Sequence, residues 1–245
     1  MDNISAWFLD LKADFILNFI EQGRWKFITT GLKNTLIITF LALILGVVLG
    51  IVVAIARSSY DKTYNEMRKG IKKTFFALIN TICKIYLTVI RGTPVVVQLM
   101  IMYYIIFATS RNSLMVAILA FGINSGAYVA EIVRSGIMSI DEGQFEAGRS
   151  LGFDYKRTMW YIIIPQAFKN VLPALANEFI VLLKETSVAG YVTIRDLTMG
   201  GNIIRAATYS AFMPLIAVAI IYLVMVMFFT WLVGILERRL RKSER

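Results

Sequence analysis

Histidine is absent from the 245 residues, and cysteine occurs once, as Cys83. The first absence excludes a histidine-based metal site, a Ser-His-Asp triad and a histidine proton relay. The second excludes an internal disulfide. Charge is scarce as well, with 17% of residues Asp, Glu, Lys or Arg. No nucleotide-binding loop of the form G-x-x-x-x-G-K-[ST] occurs, so the chain cannot be its own ATP motor. Met1-Asp2-Asn3-Ile4 lacks the basic region and small-residue cleavage site of a signal peptide. The later apolar stretches are expected to carry the insertion signal.

What is present is apolar surface. Hydrophobic residues make up 58% of the chain, more than a compact soluble domain of this size can cover with a polar shell. The net charge of +10 suggests nucleic acid at first sight, but no folded basic domain exists outside the apolar runs. The cations fall between those runs, as in the loops of membrane proteins.

Five crossings are predicted: Thr35 to Ala56, Val89 to Ala108, Leu114 to Val133, Pro165 to Leu183, and Phe212 to Leu236. Thr74 to Val89 reads as an interfacial entry to the second. Arg57, Lys62, Arg68, Lys69, Lys72 and Lys73 follow the first span. Arg149, Lys156 and Arg157 follow the third, and Arg238, Arg239, Arg241, Lys242 and Arg245 the fifth. Only Arg111 separates the second and third. The positive-inside rule puts the N-terminus outside and the C-terminus in the cytoplasm. Before the first span, Trp7, Phe8, Leu11, Phe15, Phe19 and Ile20 recur at helical spacing, which predicts an interfacial amphipathic helix. The expected organisation is an amphipathic segment over 1–33, one membrane domain over 34–240 with a loop at 141–165, and a tail over 241–245.

Gly46, Gly50 and Ala54 repeat at intervals of four, as do Gly122, Gly126 and Ala130. Such stripes let helix backbones approach closely in lipid and predict bundle contacts for those faces.

Between the third and fourth spans, Asp141 to Gly152 reads as a short helix. Asp141 is its N-cap, Gln144 completes a capping-box-like pair, and Gly152 is its left-handed terminator. Phe145, Gly148 and Leu151 share a face suited to a partner's groove. Glu146-Ala147-x-x-x-x-Gly152, followed by Ile162-x-Ile164-Pro165, resembles the cytoplasmic coupling loop of ABC importer permeases. The family's second alanine is here Gly148, and the leucine before its proline is Ile164. On helix propensity alone, Gly148 costs up to ~1 kcal/mol relative to alanine. Pro165 starts or kinks the following span.

The likeness extends to Arg91-Gly92-Thr93-Pro94-Val95-Val96-Val97-Gln98-Leu99, to Asn124-Ser125-Gly126-Ala127-Tyr128-Val129-Ala130-Glu131-Ile132 and to Leu183-Lys184-Glu185-Thr186-Ser187. These resemble the polar amino acid subfamily (histidine, glutamine or arginine type), over nearly all of Thr35 to Arg239. The resemblance implies an all-α membrane protein with five transmembrane helices of the type I ABC importer permease fold. It also implies a second permease subunit (a homodimer or a paralogue), two ATPase subunits using ATP and Mg, and an extracytoplasmic substrate-binding protein. No cofactor is expected on this chain.

Polar residues within the spans mark a candidate substrate path. Asn124, Tyr128 and Glu131 share one helix face, and Arg91 and Gln98 share another. Lys184, Glu185, Thr186 and Ser187 sit at the outer end of the fourth span, one heptad beyond Asn177 and Glu178. Arg91 suits a carboxylate and Glu131 or Glu185 an ammonium, while Gln98, Asn124, Thr186 and Ser187 suit a side chain. Interior carboxylates favour a cationic substrate such as arginine, lysine or ornithine. The opposing reading pairs Arg91 with Glu131 and Lys184 with Glu185 as scaffold. An ion-coupled secondary transporter or a channel is the alternative function, since interior charges suit that class too.

Overall fold

The computed structural model describes residues 10–64 and 67–242. Trp7, Phe8 and Arg245 of the expectations above lie outside the described residues, as do the side chains of Lys62, Arg241 and Lys242. Among the described residues the chain is helical, without strands. In chain order the helices are α1 (Trp25–Thr63), α2 (Ile71–Gly92), α3 (Val95–Ile101), α4 (Ser113–Met138), α5 (Glu142–Ser150), α6 (Ile164–Glu185), α7 (Leu197–Thr208) and α8 (Phe212–Lys242).

Four of these, α1, α2, α4 and α8, are long and apolar enough to cross a membrane. Helix α6 has 22 residues but carries Lys169, Asn170, Asn177, Glu178, Lys184 and Glu185. Those groups need protein or water beside them rather than lipid.

The expected boundaries change in three places. No proline interrupts Trp25–Thr63, so α1 begins well before Thr35 and continues beyond Ala56. The amphipathic segment therefore ends not at 33 but at Gln22 and Gly23, whose φ values of 53° and 66° reverse the chain. Its Phe19 packs against Ile28, Leu197, Ile204 and Val218, while Phe15, Ile16 and Ile20 stay exposed. In the second apolar stretch the long helix is α2, not Val89 to Ala108. The extended residues Thr93 and Pro94 end it, and the shorter α3 follows. Finally, α7 was not anticipated. Asp196 caps it by accepting from the Thr198 and Met199 amides, and Thr35 Oγ1 accepts from the Leu197 amide.

Helices α1 and α4 run side by side in the same direction along the two glycine stripes. A Cβ on Gly50 would lie 2.5 Å from Val129 Cγ1, and one on Gly122 would lie 2.6 Å from Leu45 Cδ2. Below this seam, Arg57 Nη1 donates to Glu131 Oε1 at 3.1 Å and Arg134 Nη2 to Asp61 Oδ2 at 3.1 Å. The cation sits on α1 in the first pair and on α4 in the second, which fixes the register of the two helices.

Pro94 has no N–H to offer the Ile90 carbonyl. Gln98 supplies the donor: its Nε2 reaches Ile90 O at 2.7 Å, Thr93 O at 3.0 Å and Thr93 Oγ1 at 2.7 Å. Its Oε1 accepts from Asn124 Nδ2 at 2.9 Å. Gln98→Leu should therefore lower stability by about 1–3 kcal/mol, because it strands the part-buried Ile90 carbonyl and Asn124 amide together. Thermal unfolding in detergent measures this.

Candidate functional site

Helix α5 is set up by local chemistry. Asp141 Oδ1 accepts from the Gly143 amide at 2.7 Å, while Gln144 does not return to the cap. Instead, Gln144 Oε1 accepts from Gln166 Nε2 at 3.3 Å, so the expected capping box is replaced by a tie to α6. At the other end Gly152, with φ 79°, closes a Schellman motif. The Phe153 amide donates to Gly148 O at 3.0 Å and the Gly152 amide to Arg149 O at 2.9 Å.

The face expected to enter a partner's groove is divided. Gly148 is buried against the chain's own Thr158, where a Cβ would stand 2.6 Å from Cγ2 and 2.7 Å from Oγ1. Glycine at this position is thus a packing requirement, which reverses the sign expected from propensity. Phe145 borders a cleft of about 300 Å³ with Thr63, Glu146, Arg149, Tyr155 and Thr158. Glu146, Ala147 and Leu151 are exposed, Leu151 at 71%. Pro165 lies in the first turn of α6, directly after a π-helical stretch, Met159–Ile163, that follows the turn Tyr155–Thr158. The wider turn gives room for the proline ring.

The residues expected to line a substrate path separate along the helix axes. The uncharged stretch of α1 ends at Ala56, and Glu131, the first charge on α4, pairs with Arg57. Both helices therefore leave the hydrocarbon at one level. Arg91 Nη1 stands 3.8 Å from the same Glu131 oxygen, with its guanidinium 5.8 Å from the Tyr128 ring centroid. Arg91, Tyr128 and Glu131 thus form a cluster at the α5-facing end of the uncharged stretches, not midway along them. Arg57, read from sequence as a loop cation, is the closer partner of Glu131.

Nearer the middle lies Glu178, only 8% exposed, whose Oε1 accepts from Ser125 Oγ at 2.8 Å. Ser125 packs on Gly46, central in the uncharged stretch of α1. The signal for Glu178 was its heptad spacing from Glu185; its burial needed α4 beside α6. Asn124 and Gln98 occupy each other at the helix break. At the end of α6 remote from α5, Thr186 is buried and donates to Leu183 O, Lys184 is exposed, and Glu185 and Ser187 are half-buried. Among the described residues no ion pair joins Lys184 to Glu185. Sequence neighbours on a helix point to different faces, which keeps the two apart.

A single cavity of about 470 Å³ is lined by Arg91, Tyr128, Glu131, Ser139, Asn170 and Glu178, among others. It connects the Arg91–Tyr128–Glu131 cluster to the buried Glu178 carboxylate along the face shared by α4 and α6.

Comparison with known proteins gives the frame for this geometry. Residues 46–242 match the family described as binding-protein-dependent transport system inner membrane component. The arginine transport system permease protein ArtQ of Bacillus subtilis is 39% identical over 66% of this chain and 76% of its own length. The L-cystine transport system permease protein TcyB of the same organism is 31% identical over 98% and 97%. The glutamine transport system permease protein GlnP of Escherichia coli is 36% identical over 70% and 81%. A solved amino acid ABC transporter, crystallised with histidines, aligns at TM-score 0.78 with 41% identity, covering 90% of this chain and 98% of that one. The MetNI methionine transporter shares the fold at TM-score 0.73 and 19% identity, with the same coverage of each chain. The ion-coupled alternative is set aside by this membership, and ATP hydrolysis belongs to a separate subunit. The chain belongs to the binding-protein-dependent transport system inner membrane component family, and it is the multi-pass inner-membrane permease subunit of an amino acid ABC importer.

Proposed function

We propose that this permease passes a polar, basic amino acid inward by alternating access, along the face shared by α4 and α6. The observation that carries the reading is the cavity in which Glu178 and Glu131 stand with Arg91. A guanidinium suits the substrate carboxylate, and a carboxylate suits its ammonium. The second carboxylate favours a further cationic group, as in arginine, lysine or ornithine. Tyr128, Ser139 and Asn170 line the same cavity and supply neutral contacts. Gln98 and Asn124 act as scaffold at the break between α2 and α3. Lys184, Glu185, Thr186 and Ser187 form the outer entrance.

The stroke enters at α5. Glu146, Ala147 and Leu151 face an ATPase subunit, Phe145 lines the adjoining cleft, and Gly148, Gly152 and Pro165 hold the helix in place. The assembly contains a second permease subunit (an identical copy or a paralogue), two ATPase subunits that bind ATP and Mg, and an extracytoplasmic binding protein. The N-terminus lies outside and the C-terminus in the cytoplasm, with α5 on the cytoplasmic side.

Proteoliposomes holding the full complex test the reading. Uptake should require ATP and the binding protein, and a basic amino acid should outcompete a neutral one at equal concentration. Equal competition by neutral amino acids would remove the basic-substrate assignment.

A further inference from the structure

A second cavity, of about 590 Å³, lies on the other side of the Arg91–Tyr128–Glu131 wall. It is lined by Arg57, Lys84, Thr88, Arg91, Tyr128 and Glu131, among others. Three cations face one carboxylate, so this space carries an excess of positive charge. Lys84 has no carboxylate within ion-pair distance among the described residues. Arg57 Nε is buried without an acceptor.

The position of this charge matters. Arg57 is the first charged residue after the uncharged stretch Asn34–Ala56, which is long enough to span a hydrocarbon core of ~30 Å. Glu131 ends the corresponding stretch of α4 and pairs with Arg57. The cavity is therefore at the depth of lipid headgroups in the leaflet on the α5 side. Helix α2 is amphipathic beside the cavity. Thr81, Lys84, Thr88 and Arg91 form an exposed polar ridge, and Ile82, Ile85 and Val89 form an exposed apolar ridge beside it. An apolar strip for acyl chains thus adjoins a cationic hollow whose three cations share one carboxylate.

We propose that this hollow binds the phosphodiester headgroup of an anionic phospholipid, with Lys84 as its main contact. A lysine binds phosphate as a point charge, and basic pockets between membrane helices recruit anionic headgroups in this way. Arg91, Tyr128 and Glu131 form the wall shared with the substrate cavity, so the proposal rests on Lys84 and Arg57, which line this side alone.

Native mass spectrometry on the complete complex, extracted in mild detergent with phosphatidylglycerol present, tests the assignment. The wild-type complex should retain phosphatidylglycerol over phosphatidylcholine. Lys84→Gln should reduce that retention about fivefold or more, while Lys84→Arg preserves it. Millimolar inorganic phosphate should not displace the lipid. Equal retention by Lys84→Gln would overturn the proposal. Displacement by inorganic phosphate alone would replace it with a free-anion site. Unchanged lipid retention with a raised KM for the amino acid would assign the hollow to the substrate route. Lys84→Arg controls for folding, because it keeps the charge and the length of the side chain.

Discussion

Glu178→Gln should reduce amino acid uptake by about one hundredfold while leaving assembly and basal ATP hydrolysis in place. The substitution keeps shape and an acceptor for Ser125 Oγ, which now stands 2.8 Å from the carboxylate. It removes only the charge. Within a membrane protein a buried carboxylate gains most of its value from pairing with a cation. A charge-assisted hydrogen bond contributes ~1.5–3 kcal/mol, roughly ten- to a hundredfold in affinity. Ser125→Ala should cost only a few-fold, since it leaves the charge. Uptake assays in proteoliposomes, with ATPase activity measured on the same samples, separate the two effects. Uptake within twofold of wild type in Glu178→Gln would make this residue a packing group and remove it from the path.

Gly148→Ala is the second large effect, and its direction runs against helix propensity. Alanine is favoured over glycine inside a helix by up to ~1 kcal/mol. Here the added methyl would lie 2.6 Å from Thr158 Cγ2, and Thr158 is 2% exposed and β-branched. Overpacking of this kind costs ~1–3 kcal/mol, or moves the backbone to avoid it. The strain is relieved by lifting α5 off the turn Tyr155–Thr158. Substrate transported per ATP hydrolysed should fall about tenfold if the helix no longer meets its partner at the right height. Thr158→Ala removes the obstructing atoms, and its Oγ1 has no hydrogen-bond partner to lose. The double variant should regain most of the coupling ratio, while Thr158→Ala alone stays near wild type. A double variant as impaired as Gly148→Ala would show that the clash is not the cause.

These cases mark where local sequence rules suffice and where they stop. The Asp141 cap and the Gly152 terminator follow from residue type and spacing, and both appear in α5. Gly148 could not be read in the same way, because its neighbour Thr158 reaches it only after the loop has folded back. The glycine stripes were legible since close approach in lipid needs small residues whatever the partner. Arg57 was misplaced for a related reason. The apolar run ends at Ala56, but the helix continues, so a residue counted as loop became a half-buried partner of Glu131. Glu178 carried a spacing clue, yet its importance depends on Ser125 from another helix. The N-cap Asp196 was the only local sign of α7. It was overshadowed by the larger hydropathy signal of the spans on either side.

The seam between α1 and α4 has a consequence for biogenesis. Gly46 and Gly50 are synthesised well before Ser125 and Val129, which they are shaped to meet. At ordinary translation speeds the interval is on the order of ten seconds. During that time α1 waits in the bilayer with its narrow face open and Arg57 lacking its counter-ion. Insertion factors or lipid must shelter this nascent helix until α4 arrives. Any change that slows synthesis between the two would lengthen its exposure to quality control.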